Sequence, residues 1–161
     1  MRFVSQSPAD TRSLAAGLGG ACDEDGGVIS LTGPIGAGKT LFVKALAGAL
    51  GIEERAVASP TFVIAGEYPT ARVGAPWRLV HVDFYRVESE GELEAAGLLD
   101  WLEAGTLLVA EWGERFLTAL PADRLEIRIA RGEAAESRIL EAAALGPRSQ
   151  ALLARWSKRW P

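Results

Sequence analysis

The residues whose types and spacing most clearly suggest chemistry lie at positions 28–40, where a short apolar run leads into a glycine-rich loop. The loop has the complete pattern Gly-x-x-x-x-Gly-Lys-Thr, with Gly33, Gly38, Lys39 and Thr40 at its fixed positions. Glycines let successive main-chain N–H groups approach a phosphate closely. The lysine supplies an ammonium to the outer phosphates, and the threonine hydroxyl suits a magnesium ion. The pattern therefore predicts a nucleotide phosphate-binding loop at the positive end of a helix.

An ordinary glycine-rich turn is the alternative interpretation of this loop. Glycine is abundant, with 18 residues among 161, so glycine spacing alone is weak support for a site. Lysine is scarce, and one of only three in the chain, Lys39, falls at the required position. Because an apolar strand precedes the loop and a periodic helix follows it, nucleotide binding is the favoured interpretation.

A second candidate, Glu111, directly follows the apolar run at 107–110. Its side chain is expected to project from the carboxyl end of a buried strand, where a second magnesium-organising acid belongs. A surface acid at the end of a strand is the alternative. For the neighbouring Trp112, two roles are open. It walls the site or lies over bound nucleotide, or it only packs against its surroundings.

A third candidate, Asp83, lies within the strand predicted over 77–85. Alternation puts His81, Asp83 and Tyr85 on one face of that strand. A carboxylate within an apolar strand is costly to bury alone, so Asp83 is expected to face a metal, a water or a cation. An ion pair with Arg86 or with another arginine is the alternative. We interpret His81 as a structural residue.

The segment Ser59-Pro60-Thr61 precedes the next extended run, with hydroxyls free to reach a terminal phosphate or its metal. Such a loop is suited to ordering around a third phosphate and relaxing after hydrolysis. An ordinary proline turn is the alternative.

Periodicity and turn residues predict the elements that position these side chains. Helices are predicted over 8–21 (starting at Ser7 or Asp10), 38–50, 90–104 (with Gly97 as a candidate break) and 147–160. Strands are predicted over 28–32, 62–68, 77–85, 107–111, 123–130 and 137–143. The runs 62–68 and 77–85 are predicted to form an antiparallel pair, and the last two strands are predicted to be edge strands.

Helices mixed with strands that are apolar on both faces predict an α/β fold. We expect a three-layer sandwich of the phosphate-loop NTPase type, with a mostly parallel central sheet and antiparallel additions. Residues 1–161 are expected to form one domain in which 147–161 is an amphipathic helical tail. For Trp156 and Trp160 in that tail, packing on the protein itself is favoured over anchoring a partner.

The composition narrows the functional classes. A net charge of −4 argues against a large basic surface for nucleic acid. One cysteine, Cys22, and one histidine exclude a disulfide framework and a zinc cluster. No apolar stretch approaches the roughly 20 residues of a membrane span. Since the chain starts without a signal-like segment, we expect a cytoplasmic protein.

Taken together, the motifs resemble one family over about residues 8–140. They are Gly33-Pro-Ile-Gly-Ala-Gly-Lys-Thr40, Ser59-Pro-Thr-Phe62, His81-Val-Asp-Phe-Tyr-Arg86, Glu92-Leu93 followed by Gly97, and Glu111-Trp112. In order and spacing they resemble the bacterial ATPase component of tRNA threonylcarbamoyladenosine synthesis (the TsaE, or YjeE, type). The His-x-Asp-x-Tyr-Arg strand and the Ser-Pro-Thr-Phe loop are not shared by phosphate-loop proteins in general.

The resemblance implies a small ATPase that binds ATP or ADP with Mg²⁺. Its implied partners are a carbamoyl-transfer subunit and the inactive, dimerising paralogue of that subunit. The complex modifies adenosine 37 of tRNA, so this chain is expected to meet tRNA only indirectly. Hydrolysis of ATP to ADP and phosphate is expected to reset the complex between turnovers.

The resemblance also implies roles for individual residues. Lys39, Asp83 and Glu111 are the catalytic candidates, Asp83 orients or activates the water, and Thr40 with Glu111 holds magnesium. The implied nucleotide contacts are Gly33, Gly36, Ala37, Gly38, Lys39, Thr40, Leu41, Thr61, Trp112 and Arg138. Of these, Thr61 is expected to sense the third phosphate. Pro34, Ile35 and Leu41 depart from the commonest form of the loop without removing a phosphate-binding donor.

Two other classes use the same loop. A small-molecule kinase needs an acceptor pocket and usually an arginine-rich lid, whereas a nucleotide-gated binding module uses ATP only to lock an interface. A GTPase is excluded, because the chain has no Asn/Thr-Lys-x-Asp segment to read guanine.

Overall fold

The structure is a computed structural model that describes residues 1–58 and 64–160. The predicted hydroxyl loop at 59–61, including Thr61, lies outside the described residues. Within the described part of the chain, no helix is long and apolar enough to cross a membrane.

The described part of the chain forms seven strands and five α-helices. The strands are β1 (Arg2–Ser5), β2 (Gly27–Thr32), β3 (Ala65–Pro69), β4 (Arg78–Asp83), β5 (Thr106–Glu111), β6 (Leu125–Arg131) and β7 (Arg138–Ala144). The α-helices are α1 (Pro8–Ala21), α2 (Lys39–Ala49), α3 (Glu90–Ala96), α4 (Leu98–Trp101) and α5 (Pro147–Ser157). Short 3₁₀ turns cover Glu54–Ala56 and Gly113–Phe116.

The strands form one sheet in the order β1-β7-β6-β2-β5-β4-β3. Its four middle strands, β6, β2, β5 and β4, are parallel to one another, whereas β3, β7 and β1 are antiparallel additions. The predicted mostly parallel α/β sheet is therefore confirmed. So is the predicted antiparallel pair, in which Ala65 of β3 is opposite Val82 of β4.

The prediction that the strands over 123–130 and 137–143 lie at an edge is wrong. β6 lies between β2 and β7, and β7 lies between β6 and the short strand β1, which the sequence did not predict. Along β6, buried and more exposed positions alternate, because only one face of this part of the sheet is covered. That alternation is also typical of an edge strand. β1 has only four residues, two of them buried, which is too short for a period to be recognised.

Apolar side chains from the two faces of the sheet enter separate cores, which gives the predicted three layers. Leu107 and Val109 of β5 pack in the core that includes α1, α2 and α5. Leu108 and Ala110, the alternate residues of the same strand, pack with α3 and α4 in the other core.

Helix boundaries follow local capping. Ser7 caps α1 by accepting a hydrogen bond from the N–H of Asp10, which decides between the two predicted starts. Gly97, at a φ of 108°, ends α3, so the helix predicted over 90–104 is broken there and α4 stops at Trp101.

The C-terminal helix packs on its own protein. Trp156 is fully buried, its ring centroid lies 4.4 Å from that of Phe3, and its indole N–H donates to the carbonyl oxygen of Leu14 at 2.9 Å. Trp160 is partly buried against the same core. The favoured interpretation of these tryptophans is confirmed, although α5 ends at Ser157 rather than at 160.

Candidate functional site

The candidate residues come together at the carboxyl ends of the parallel strands. β2 leads into the phosphate-loop sequence, β5 ends at Glu111, and β4 ends at Asp83. Asp83 and Glu111 are direct register partners across β4 and β5. Neighbouring parallel strands end at the same edge of a sheet, so this is the place at which such folds bind ligands.

The path of the loop depends on its glycines. Gly33 has a φ of 138°, and a Cβ added there would lie 2.2 Å from the carbonyl oxygen of Ile129. Strand β6 therefore passes directly against the start of the loop, where a side chain does not fit. Gly38 precedes α2 at a φ of 104°, in the left-handed region that glycine adopts without strain.

The first turn of α2 supplies unpaired donors to the concave side of the loop. The N–H of Phe42 donates to the carbonyl of Gly38 at 2.9 Å, and Gly38 provides no side-chain cap. The preceding N–H groups of the helix, at Lys39, Thr40 and Leu41, have no acceptor within a regular helix. Together with the helix dipole they form an arrangement that suits a phosphate.

Ala37 maintains the internal structure of the loop. Its N–H donates to the carbonyl oxygen of Pro34 at 3.1 Å, and its methyl group is buried in the core. Its carbonyl oxygen accepts a hydrogen bond from Nε of Arg138 at 2.9 Å. The structure thus brings Arg138, the most distant predicted site residue, to the back of the loop.

The ammonium of Lys39 lies across the mouth of the loop. Nζ donates to the carbonyl oxygens of Gly33 at 2.7 Å and Pro34 at 3.1 Å, and it lies 4.0 Å from the centre of the Trp112 ring. Burial lowers the pKa of Lys39, while the negative charge of Glu111 acts in the opposite direction. The lysine is therefore held by neutral acceptors and an aromatic face, which leaves its charge available to an anion.

A buried chain of hydrogen bonds joins the loop helix to β5 and β4. Thr40 Oγ1 donates to Glu111 Oε1 at 2.9 Å, and Nε2 of His81 lies 2.9 Å from the same oxygen. Glu111 is only 3% exposed and His81 is completely buried. Because an ionised carboxylate only accepts hydrogen bonds, its bond with His81 requires the proton to be on Nε2.

This donor set is of the kind that magnesium uses. A hydroxyl and a carboxylate oxygen in contact are hard ligands, and magnesium usually keeps several waters and substrate phosphates in its remaining positions. In the described ranges, no cluster of three or more His, Cys, Asp or Glu side chains forms a metal site made by protein alone. The residues present therefore fit a magnesium ion that is shared with a nucleotide.

Asp83 lies beside this chain of hydrogen bonds with a different environment. It is half-buried, and its Oδ1 accepts a hydrogen bond from the N–H of Tyr85 at 2.9 Å. Burial raises the pKa of the Asp83 carboxyl and the charge of Glu111 adds to the rise, whereas the Tyr85 hydrogen bond opposes both. A carboxylate with a raised pKa is a stronger base than an ordinary aspartate.

Trp112 has the most unusual backbone of the site. Its φ of 59° and ψ of 34° are left-handed, a conformation that no other non-glycine residue adopts in residues 1–58 and 64–160. Its ring lies 5.1 Å from that of Tyr85 and 4.0 Å from Nζ of Lys39, and it also packs against the core that contains α3 and α4. Strained residues of this kind concentrate at functional sites. Trp112 therefore packs against this core and also lies beside the predicted site residue Lys39.

Sequence reasoning missed the contact between His81 and Glu111. The alternation of β4 indicates which face His81 occupies, but not that Glu111, which is opposite Asp83 in the register of β4 and β5, reaches back to His81. The remaining predicted contact within the described residues, Leu41, is half-buried in the first turn of α2.

Comparisons with known proteins give one consistent result. The family model described as "Threonylcarbamoyl adenosine biosynthesis protein TsaE" matches residues 5–140. The chain is 36% identical to the tRNA threonylcarbamoyladenosine biosynthesis protein TsaE of Mycobacterium leprae over 141 residues, which covers 84% of this chain and 86% of that one. It is 37% identical to the protein of the same name from Bacillus subtilis over 131 residues, with 81% and 78% covered. Among solved structures, Bacillus subtilis YdiB is similar, with a TM-score of 0.74 and 30% identity over 98% of this chain and 94% of that one.

Proposed function

The chain belongs to the TsaE family of threonylcarbamoyl adenosine biosynthesis proteins, and from this premise we propose that it is a magnesium-dependent ATPase. In this role it binds ATP, hydrolyses it to ADP and phosphate, and so resets the complex that makes N6-threonylcarbamoyladenosine at position 37 of tRNA. A small-molecule kinase and a non-catalytic binding module are the alternatives that the experiment below distinguishes.

The observation that carries the proposal is the contact between Thr40 and Glu111 at 2.9 Å. It joins the first turn of the loop helix to the end of β5 through the two side chains proposed to hold magnesium. When bound, the ion neutralises phosphate charge and orients the nucleotide. Thr40 is proposed to hold it by its hydroxyl, and Glu111 directly or through a water.

The other residues have complementary proposed roles. The free N–H groups at the start of α2 bind phosphate oxygens, and the Lys39 ammonium lies against the outer phosphates. Asp83, whose pKa burial raises, orients the attacking water and accepts its proton. Trp112 covers Lys39 and limits the access of bulk water to that side of the site.

We propose that the active assembly contains the carbamoyl-transfer subunit and its inactive paralogue, in the cytoplasm, with tRNA bound mainly by these partners. The net charge of −4 supports indirect contact with tRNA, because a strong nucleic-acid surface is usually basic. Hydrolysis by the isolated chain is expected to be slow, and the partners are expected to stimulate it.

The test is phosphate release from ATP by the chain alone, then with both partners, then with tRNA added. An ATPase of this role releases phosphate faster in the complex, and Lys39→Ala gives the background rate. A kinase transfers the phosphate to an acceptor, and a binding module releases none. Either of the last two results would overturn the proposal.

A further inference from the structure

Strand β6 extends beyond the end of its neighbour β2. Thr32, the last residue of β2, pairs with Arg128, whereas β6 continues to Arg131. The additional residues run beside the phosphate loop, as the close approach between Gly33 and Ile129 shows. As a result, Nη2 of Arg131 lies 3.8 Å from the position that a Cβ on Gly36 would occupy.

The alternation of β6 and β7 sets the face on which Arg131 lies. Leu125, Ile127 and Ile129 enter the core that contains α2, and Arg131 is next in the same alternation. Arg131 and Arg138 are direct register partners in the antiparallel pair, so both lie on that face. The inward-facing series of each strand therefore ends in an arginine beside the loop.

Two arginines at directly paired positions repel each other. Neither Arg131 nor Arg138 forms an ion pair among the described residues. Arg138 instead donates to carbonyl oxygens, including those of Ala37 and Ser137. By contrast, Arg128 on the opposite face of β6 lies 4.0 Å from Glu141. Like charges at paired positions destabilise a sheet, and a bound anion removes that cost.

The end of the hairpin fixes the separation of the two arginines. The N–H of Gly132 donates to the carbonyl oxygen of Ser137 at 2.9 Å. The Ser137 hydroxyl, which is buried, donates to the carbonyl oxygen of Ala134 and accepts from the N–H of the same residue. Arg131 and Arg138 therefore extend from a closed turn rather than from a long loop.

We propose that Arg131, which lies beside Gly36 of the phosphate loop, binds the inner phosphates of the nucleotide. The inference rests on the proposed nucleotide binding and adds a residue that the sequence motifs do not identify. Loop backbone such as that at Gly36 cradles the inner phosphates, whereas Lys39 reaches the outer ones. Because ATP and ADP share the inner phosphates, Arg131 strengthens the binding of both nucleotides to the same extent.

Calorimetric titration of Arg131→Ala with ADP and with ATP, each in the presence of Mg²⁺, tests this. The dissociation constants of both nucleotides are expected to rise by about tenfold, the scale of one charge-assisted hydrogen bond. The ratio of the two dissociation constants is expected to stay at the wild-type value. Arg131→Lys retains part of the affinity, because it keeps the charge without the planar fork.

Arg128→Ala is the matched control, since it removes an arginine from the same strand on the opposite face. Its affinities are expected to equal those of the wild type. Equal affinities for wild type and Arg131→Ala, or a loss confined to ATP, would overturn the inference and leave the proposed function standing. A wild-type chain that binds neither nucleotide would overturn both. Arg131→Glu gives a second measure, with a larger expected loss, if the alanine variant unfolds.

Discussion

The phosphate loop lies between two flanks of opposite charge that are built in different ways. On one side is the acidic flank, Asp83 and Glu111, at the ends of β4 and β5. On the other is the arginine flank, Arg131 and Arg138, at the facing ends of β6 and β7. Glu111 is 3% exposed and bonded to two side chains, whereas Arg131 is exposed and has no carboxylate partner among the described residues.

This difference suggests a division of work. On the acidic flank, hydrogen bonds hold Glu111 to Thr40 and His81. A hydrogen bond from the N–H of Tyr85 holds Asp83. Both carboxylates are therefore held in position, as the chemical step requires of the proposed metal ligand and base. On the arginine flank, the exposed guanidinium of Arg131 is proposed to contact only phosphates that ATP and ADP share, so it strengthens the binding of both nucleotides to the same extent. The acidic flank is therefore expected to set kcat and the arginine flank to set nucleotide affinity.

The largest effect is expected where the two flanks meet, at the loop lysine. Lys39→Ala removes the charge that faces the outer phosphates and is expected to abolish nucleotide binding in calorimetry. Lys44→Ala, a substitution in the same helix, is the control and should bind as the wild type does. Nucleotide binding by Lys39→Ala with wild-type affinity would contradict the placement of phosphates in this loop.

The second largest effect is expected from removing Glu111, the proposed metal ligand on the acidic flank. Glu111→Ala is expected to lower phosphate release in the complex by at least about 100-fold while leaving considerable nucleotide binding. The measurement is kcat together with the calorimetric affinity, with Glu94→Gln on α3 as a control for removal of a carboxylate. An unchanged kcat would refute the assignment, and an effect on affinity alone would remove the distinction between the flanks.

Asp83→Asn should also lower phosphate release by at least about 100-fold, because the amide does not accept the proton of the attacking water. Burial raises the pKa of Asp83, so the ionised form is disfavoured in the folded state. The Asp83 carboxyl therefore lowers the free energy of unfolding as the pH rises through its raised folded-state pKa, and this cost is absent below the pKa of the unfolded chain. The asparagine variant is expected to be at least as stable as the wild type at neutral pH in urea denaturation. A marked loss of stability would indicate a structural role instead.

A smaller effect is expected at the residue that holds Glu111 in place. His81→Ala removes the Nε2 partner of a buried carboxylate and is expected to lower the free energy of unfolding by about 1–3 kcal/mol. Phosphate release falls as well, since Glu111 loses one of its two side-chain bonds. His81→Gln, which keeps an N–H donor, should restore part of both quantities. Wild-type stability of the alanine variant would contradict the bond.

The smallest effect is expected from Thr61→Ala, a prediction that rests on the sequence motif. If Thr61 senses the third phosphate, the variant discriminates less between ATP and ADP while its affinity for ADP is unchanged. Titration of both nucleotides gives the ratio of affinities. The same ratio in wild type and variant would count against the sensor, and an equal loss for both would assign Thr61 to general binding.

The parts that the sequence predicts well are those with a strong local signal. The loop residues have fixed spacing, the run before Glu111 is apolar on both faces, and the alternation of β4 places His81 and Asp83 on one side. These signals predict the α/β class, the parallel centre of the sheet and the position of the candidate site residues at one edge of it.

The parts that it misses depend on pairing between distant segments. β1 is recognisable only by its pairing with β7, and the internal position of β6 only by its pairing with β2 on one side and β7 on the other. In the same way, the bond of His81 to Glu111 and the position of Arg131 beside Gly36 follow from strand register. Spacing within one segment contains no information on register between segments.

The most direct test of the nucleotide site is a crystal structure with Mg²⁺ and an ATP analogue that cannot be hydrolysed. We predict phosphates against the N–H groups at the start of α2 and a magnesium ion between Thr40 and Glu111. A loop without phosphates, or a nucleotide bound elsewhere on the protein, would contradict the proposed function.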